Sequence, residues 1–218
     1  NIKPEDGADQ ILEFMRNNPD NEANIELVTR ISQLDTEKTE EAIALISDKV
    51  KNGRMKNFIA RKVADIRARI EEERRVAELQ APGRQAPDFT LNDMDGNPLS
   101  LSSLKGKYIV LDFWGSWCGW CIKGFPEMKE YYQKYAGKFE ILGIDCNDPV
   151  EKWKESVKEQ GLPWLHVYNP QESTLLKEYG IQGFPTKIIL DTEGKIVKTI
   201  VGESPEFYAL LDELFAEK

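Results

Sequence analysis

Residues 112–126 read DFWGSWCGWCIKGFP, and this stretch limits what the chain can fold into more than any other. The run from Tyr108 to Trp114 that leads into it is β-branched and aromatic, the pattern of a buried strand. Beyond it, Lys123 to Tyr135 has helical spacing, with Phe125, Met128, Tyr132 and Tyr135 on one face. Cys118 therefore falls where a strand ends and a helix begins. The unpaired N–H groups and the dipole of a first helical turn favour a thiolate over a thiol there, which points to Cys118 as a nucleophile. Cys121 lies one turn further on, within reach of a mixed disulfide formed at Cys118, and is the expected resolving thiol.

A C-x-x-C pair has two blander readings. Structural zinc takes four ligands, and the chain offers only Cys118, Cys121, Cys146 and its single His166, with no second closely spaced pair. No metal site is expected on that count. A purely structural disulfide across two intervening residues closes too small a loop to stabilise a fold much. A redox-active dithiol is the favoured reading, and its chemistry needs no cofactor beyond the two cysteines.

The segment DFWGSWCGWC, with Trp117 before the first cysteine and Pro126 beyond the second, resembles the thioredoxin active site. Residues 179–186, YGIQGFPT, resemble the thioredoxin segment that carries a cis-proline beside the dithiol, which would make Pro185 that residue. The resemblance implies that the backbone before this proline pairs with an extended substrate chain, so Phe184 and Pro185 are docking candidates. With Trp117 and Trp120 they would form an apolar docking surface. Residues 86–89, APDF, followed by a hairpin and by Leu104 to Tyr108, resemble the opening of the TlpA-like branch of thioredoxins and also that of peroxiredoxins. A peroxiredoxin carries Pro and Thr before its peroxide-reducing cysteine where this chain has Leu111 and Gly115. Peroxidase chemistry is therefore the lesser alternative.

The rest of the chain is expected as two parts. Residues 1–80 are almost free of glycine and strand patterning and read as four helices. The first carries Ile11, Leu12 and Met15, and the second Ile25, Val28 and Ile31. The third is capped at Asp35 and Thr36, carries Ala42, Ile43, Ile46 and Val50, and ends at Gly53. The fourth runs from about Met55 to Leu79, with Ile59, Val63, Ile66 and Ile70 forming a stripe that packs on the other three or serves as a coiled-coil seam; the former is favoured. Residues 71–75, EEERR, read as a solvated face. Residues 81–87, APGRQAP, read as a linker. Residues 88–218 then alternate strand and helix patterns, with an additional helix and strand between 150 and 168 that again resembles the TlpA-like branch. The fold expected is α/β: a thioredoxin-like mixed sheet covered on both faces, preceded by an all-α region.

Composition narrows the partners. A formal net charge of -9 argues against nucleic acid or an anionic membrane surface. No apolar run approaches the length of a membrane span. The chain opens at Asn1 rather than Met, so an upstream segment is expected to be missing from it.

Five residues are weighed singly. Asp112 stands in an apolar strand at the position of thioredoxin's buried acid, where desolvation should raise its pKa and let it accept the Cys121 proton. The lysine that accompanies that acid in thioredoxin falls at Ile141 here, which implies a different proton route. Trp120 replaces the proline of the ordinary thioredoxin motif, and Gly124 stands where many TlpA-like proteins have glutamate; both leave the couple between about -270 and -120 mV. Cys146 reads as a buried apolar thiol rather than a third redox group. His166 reads as a surface or hydrogen-bonded residue with no catalytic role.

Together these features imply a thiol:disulfide oxidoreductase acting on protein disulfides or dithiols, with Cys118, Cys121 and Asp112 as its chemistry. The TlpA-like resemblance further implies a bacterial periplasmic or other extracytoplasmic setting, apocytochrome c as a substrate, and a membrane electron donor upstream. The rival is a binding module whose helical half recruits a partner and whose dithiol is regulatory. The oligomeric state is left open.

Overall fold

The apolar stripes of the first part form helices that share one core. α1 (Ala8–Asn17) buries Ile11, Leu12 and Met15, and α2 (Asn24–Leu34) buries Ile25, Val28 and Ile31. The third helix expected between Asp35 and Gly53 is instead broken into a 3-10 turn at Thr36–Lys38, α3 (Thr39–Ala44) and α4 (Asp48–Lys51). Ser47 explains the second break: its hydroxyl accepts the Val50 N–H at 3.4 Å and restarts the helix as a new N-cap. α5 (Lys56–Leu79) buries Ile59 and Ile66, with Val63 and Ile70 partly covered, against the core made by α1 to α4. The stripe is an intramolecular packing face rather than a coiled-coil seam. Arg74 and Arg75 pair with Glu71 and Glu72 one turn back, on the solvated side of the same helix.

The computed structural model describes residues 7–216 and divides between Arg75 and Val76 into two compact units. The second is built on seven strands: β1 (Thr90–Asp93), β2 (Pro98–Ser100), β3 (Tyr108–Trp114), β4 (Phe139–Cys146), β5 (Leu165–Asn169), β6 (Thr186–Leu190) and β7 (Ile196–Val201). They lie in the order β2-β1-β5-β4-β3-β6-β7. β3, β4 and β5 run parallel, and the remaining neighbours are antiparallel. Residues 81–87 are hydrogen-bonded to this unit. The Gly83 N–H donates to the Ile196 carbonyl at 2.7 Å, Ile196 returns one to Arg84 at 2.8 Å, and Ala86 donates to Gly194 at 3.0 Å.

Four helices complete the second unit: α6 (Gly119–Lys134), α7 (Val150–Gln160), α8 (Leu175–Glu178) and α9 (Pro205–Phe215). Alternation along β3 divides the core between the two faces of the sheet. Val110 and Trp114 join a cluster with Cys118, Cys121, Phe125 and Met128 of the α6 segment and Phe207 and Leu211 of α9. Ile109, Leu111 and Phe113 join a second cluster with Leu175 and Tyr179 on the other face. By the same alternation Asp112 belongs to the α6 face. This is the mixed sheet covered on both faces that the sequence led us to expect. Among the described residues no helix is long and apolar enough to cross a membrane.

Candidate functional site

β3 delivers the chain to the redox pair, and the pair itself starts the helix. The helix opens at Gly119 with Cys118 as its N-cap, at the strand-to-helix junction where the sequence put that cysteine and one turn before the apolar spacing that starts at Lys123. The Cys118 sulfur accepts the Cys121 N–H at 3.2 Å, one of the donors that a first turn leaves unpaired. The two sulfurs are joined in a disulfide of 2.05 Å. Cys118 is 6% exposed and Cys121 2%, so the first cysteine is the more accessible of the two.

The loop between β3 and α6 is pinned from the segment after β4. The backbone N–H and hydroxyl of Ser116 donate to the two carboxylate oxygens of Asp148 at 2.6 and 2.7 Å. The indole N–H of Trp117 donates to the Cys146 carbonyl at 2.9 Å, and the Tyr168 hydroxyl donates to the Asp148 carbonyl at 3.0 Å. Gly115 makes this approach feasible. A Cβ there would lie 2.4 Å from the Trp117 indole nitrogen and 2.8 Å from the Cys146 oxygen.

Around the disulfide, Trp117 and Trp120 stand 50% and 63% exposed. The Phe184–Pro185 peptide bond is cis. Phe184 packs on the cluster that holds both cysteines, and its ring meets that of Trp117 edge-on at 5.2 Å. Trp117 and Phe184 thus meet beside the cysteine pair, next to the Pro185 turn, while Trp120, between the two cysteines, has the Lys123 ammonium 4.9 Å from its ring centre. Pro185 itself is buried, so its turn presents backbone rather than side chain.

Asp112 is buried at 1% exposure, and neither carboxylate oxygen has a hydrogen-bond partner. Burial pushes its pKa up; the Lys187 ammonium opposes that rise and the Glu203 carboxylate adds to it. Lys187 lies directly across from Asp112 in the β3–β6 register, with its Nζ 3.7 Å from Asp112 and 3.1 Å from Glu203. Ile141 on β4 is the apolar residue the sequence showed, but the proton route is not left without a cation. The cation arrives from β6, the neighbouring strand on the other side. Reasoning from the sequence missed Lys187 and Glu203; the available signal was a lysine inside the otherwise uncharged run of β6.

A second carboxyl group was missed as well. Asp145, at the end of β4, is buried, and burial together with the neighbouring Asp148 carboxylate pushes its pKa up to about 8. Cys146 is buried, its thiol donates to the Ile144 carbonyl at 3.4 Å, and burial pushes its pKa well up, which suits an inert core thiol. His166, expected as a surface or hydrogen-bonded residue, is not on the surface but in the core. It lies on β5, an interior strand, between the rings of Trp114 and Trp164 at 6.3 and 6.0 Å, and burial lowers its pKa to about 4. Gly143 opposite it leaves the room, since a Cβ there would lie 2.7 Å from His166 Nδ1. Among the described residues no cluster of three or more His, Cys, Asp or Glu is placed to hold a metal.

A dithiol at the head of α6, beside a cis-proline turn and over a mixed sheet, places the chain among the thioredoxin-fold thiol-disulfide oxidoreductases. The match to known proteins agrees with that class. Over residues 82–199 the chain matches the AhpC/TSA family, and it belongs to that family. It is 37% identical over 122 residues to the thiol-disulfide oxidoreductase ResA of Bacillus anthracis, covering 56% of this chain and 70% of the relative. To ResA of Bacillus subtilis it is 33% identical over 125 residues, or 57% and 69% of the two chains. Among solved structures, the thioredoxin domain of a thiol-disulfide oxidoreductase from Bacteroides vulgatus superposes with a TM-score of 0.57 at 33% identity, covering 62% of this chain and 98% of that one. A putative thiol:disulfide interchange protein DsbE from Chlorobium tepidum gives 0.56 at 30% identity, covering 61% and 94%. The chain is an oxidoreductase of this class.

Proposed function

We propose that the chain reduces or exchanges disulfides of protein substrates, with Cys118 attacking and Cys121 resolving. The observation that carries this assignment is the Cys118 sulfur capping α6, where it accepts the Cys121 N–H and is the more exposed of the pair. That donor and the helix dipole stabilise a Cys118 thiolate once the disulfide is opened. The thiolate attacks one sulfur of a substrate disulfide; a Cys118–substrate bond forms and the substrate's own S–S bond breaks, releasing one substrate sulfur as a thiolate. Cys121 then gives its proton to the Asp112 carboxylate and attacks Cys118. The Cys118–Cys121 bond forms, the second substrate sulfur leaves as a thiolate, and both released thiolates take protons from solvent. Two electrons have passed from the dithiol to the substrate, and the only redox group this reading needs is the cysteine pair.

Trp117, Trp120, Phe184 and Pro185 form the docking surface in this reading, with the backbone of the Pro185 turn pairing an extended substrate segment. We infer a bacterial periplasmic or other extracytoplasmic setting, apocytochrome c as one substrate, and a membrane donor that recharges the dithiol; the TlpA-like resemblance and the bacterial ResA relatives support it. Peroxidase chemistry is disfavoured at Gly115, because a threonine there would meet the Trp117 indole and the Cys146 carbonyl.

Trapping tests the assignment. Cys121→Ser, incubated with a disulfide-bonded protein, should accumulate a mixed disulfide through Cys118 that mass spectrometry can locate, and Cys118→Ser should accumulate none. A redox titration against glutathione, followed by tryptophan fluorescence, should show one two-electron transition. Absence of both the trapped species and the transition would leave the binding module, with a regulatory dithiol, as the function.

A further inference from the structure

We propose that Glu203 is a positioning residue for the dithiol, holding the Lys187 ammonium away from Asp112 so that the Asp112 carboxylate stays free to take the Cys121 proton. The proposal rests on the reading of Asp112 as the base for Cys121. Glu203 sits in the turn between β7 and α9, and that turn is tied to the redox site, since the preceding Gly202 N–H donates to the Pro185 carbonyl at 2.7 Å. Its carboxylate lies against α6 at Gly124, three residues beyond Cys121. A Cβ on Gly124 would be 2.2 Å from Glu203 Oε2, so the glycine is what lets the carboxylate in. Once there it accepts from Lys187 Nζ at 3.1 Å and from the Tyr208 hydroxyl at 2.9 Å, and the same hydroxyl reaches the Gly124 carbonyl at 3.4 Å.

Two carboxylates therefore compete for one buried ammonium, and the distances show which holds it. Lys187 is within hydrogen-bond reach of Glu203 but 3.7 Å from Asp112, and both Asp112 oxygens are left without a hydrogen bond. An ammonium hydrogen-bonded to Asp112 would stabilise its charged form and weaken it as a base. Glu203 opposes this twice, by drawing Lys187 off and by adding negative charge nearby. The other groups facing this cluster are accounted for. Phe207 of α9 lies under the Lys187 ammonium at 5.5 Å. Burial, then Glu203, Glu127 of α6 and Asp112 raise the pKa of Tyr208 of α9, and burial, then Asp145 and Asp112 raise that of Cys146 of β4. Glu203 alone of the three ionic side chains reaches solvent, at 17% exposure against 1% for Asp112 and 2% for Lys187.

The decisive measurement is a carbon-13 NMR titration of the Asp112 carboxyl in the reduced full-length protein, alongside the pH profile of mixed-disulfide resolution in single-turnover stopped flow. Glu203→Gln should lower the Asp112 midpoint by about one pH unit and move the resolution profile the same way. Gly124→Ala displaces the Glu203 carboxylate from the other side while favouring the helix, so it should give a shift of the same sign. The Gly124→Ala/Glu203→Gln pair should shift no further than either change alone. An Asp112 midpoint that stays put in both single variants overturns the proposal, even if turnover falls, because the residues would then be merely structural. Asp112→Asn separates the two ideas: if it leaves the resolution profile of the wild type intact, the base reading fails and this proposal falls with it. If Asp112→Asn alters the profile and the Glu203 and Gly124 variants do not, only the positioning role is lost.

Discussion

Asp112 shows how a single residue takes its character from its neighbours. A carboxylate in an apolar strand is costly, and here its cost is offset at a distance by Lys187, which is itself held by Glu203. Removing the acid while keeping its shape is therefore informative. Asp112→Asn should slow resolution of the mixed disulfide by about 100-fold, the lower end for general acid–base catalysis, while the initial attack by Cys118 keeps its rate; stopped-flow fluorescence of the two phases checks this. Lys187→Met should be far more damaging to the fold, because it leaves two buried or half-buried carboxylates with no cation, a loss of about 3–5 kcal/mol for a broken buried pair.

At the scale of elements, the site depends on how helices begin. α6 begins on a cysteine rather than on Ser, Thr, Asp or Asn, so the functional sulfur does the capping. α9 begins on Ser204, whose hydroxyl accepts the Glu206 N–H at 3.2 Å, with Pro205 in the first turn. That cap also fixes the turn from which Glu203 reaches α6. Ser204→Ala should cost about 1 kcal/mol of stability in urea denaturation.

At the scale of the whole molecule, the described part of the helical unit has its own apolar core. Two buried groups near the sheet's centre contribute opposite slopes to the pH dependence of stability. His166 has its folded pKa lowered from 6.5 to about 4, so between those values only the unfolded chain binds the proton and stability rises with pH. Asp145 has its folded pKa raised from 3.8 to about 8, so over that range only the folded chain binds the proton and stability falls with pH. The two slopes oppose each other from about pH 4 to 6.5, above which the Asp145 slope is no longer offset by His166, and the Asp112 carboxyl, also pushed up by burial, adds to it. Chemical denaturation across this range should show a steeper decline above about pH 6.5 than below it, and Asp145→Asn should weaken that decline.

The sequence by itself determined the strand that ends in the dithiol, the turn at Pro185 and the alternation that makes a covered mixed sheet. Each of these is local: a hydrophobic period, a short motif, a cap. Three-dimensional packing decided the rest. The break at Ser47 split part of the expected third helix into α3 and α4, because Ser47 leaves helical geometry and its hydroxyl and carbonyl share the Val50 N–H as a new N-cap. His166 became a core residue because β5 is an interior strand, and a short run of five residues says nothing of which strands will flank it. Lys187 is 75 positions from Asp112 and Glu203 is 79 from Gly124, and no local pattern signals charges that meet only when β6 pairs with β3 and the start of α9 closes on α6. The chemistry of the cysteines is written in a ten-residue motif, whereas the electrostatic setting in which they act exists only once the sheet has assembled.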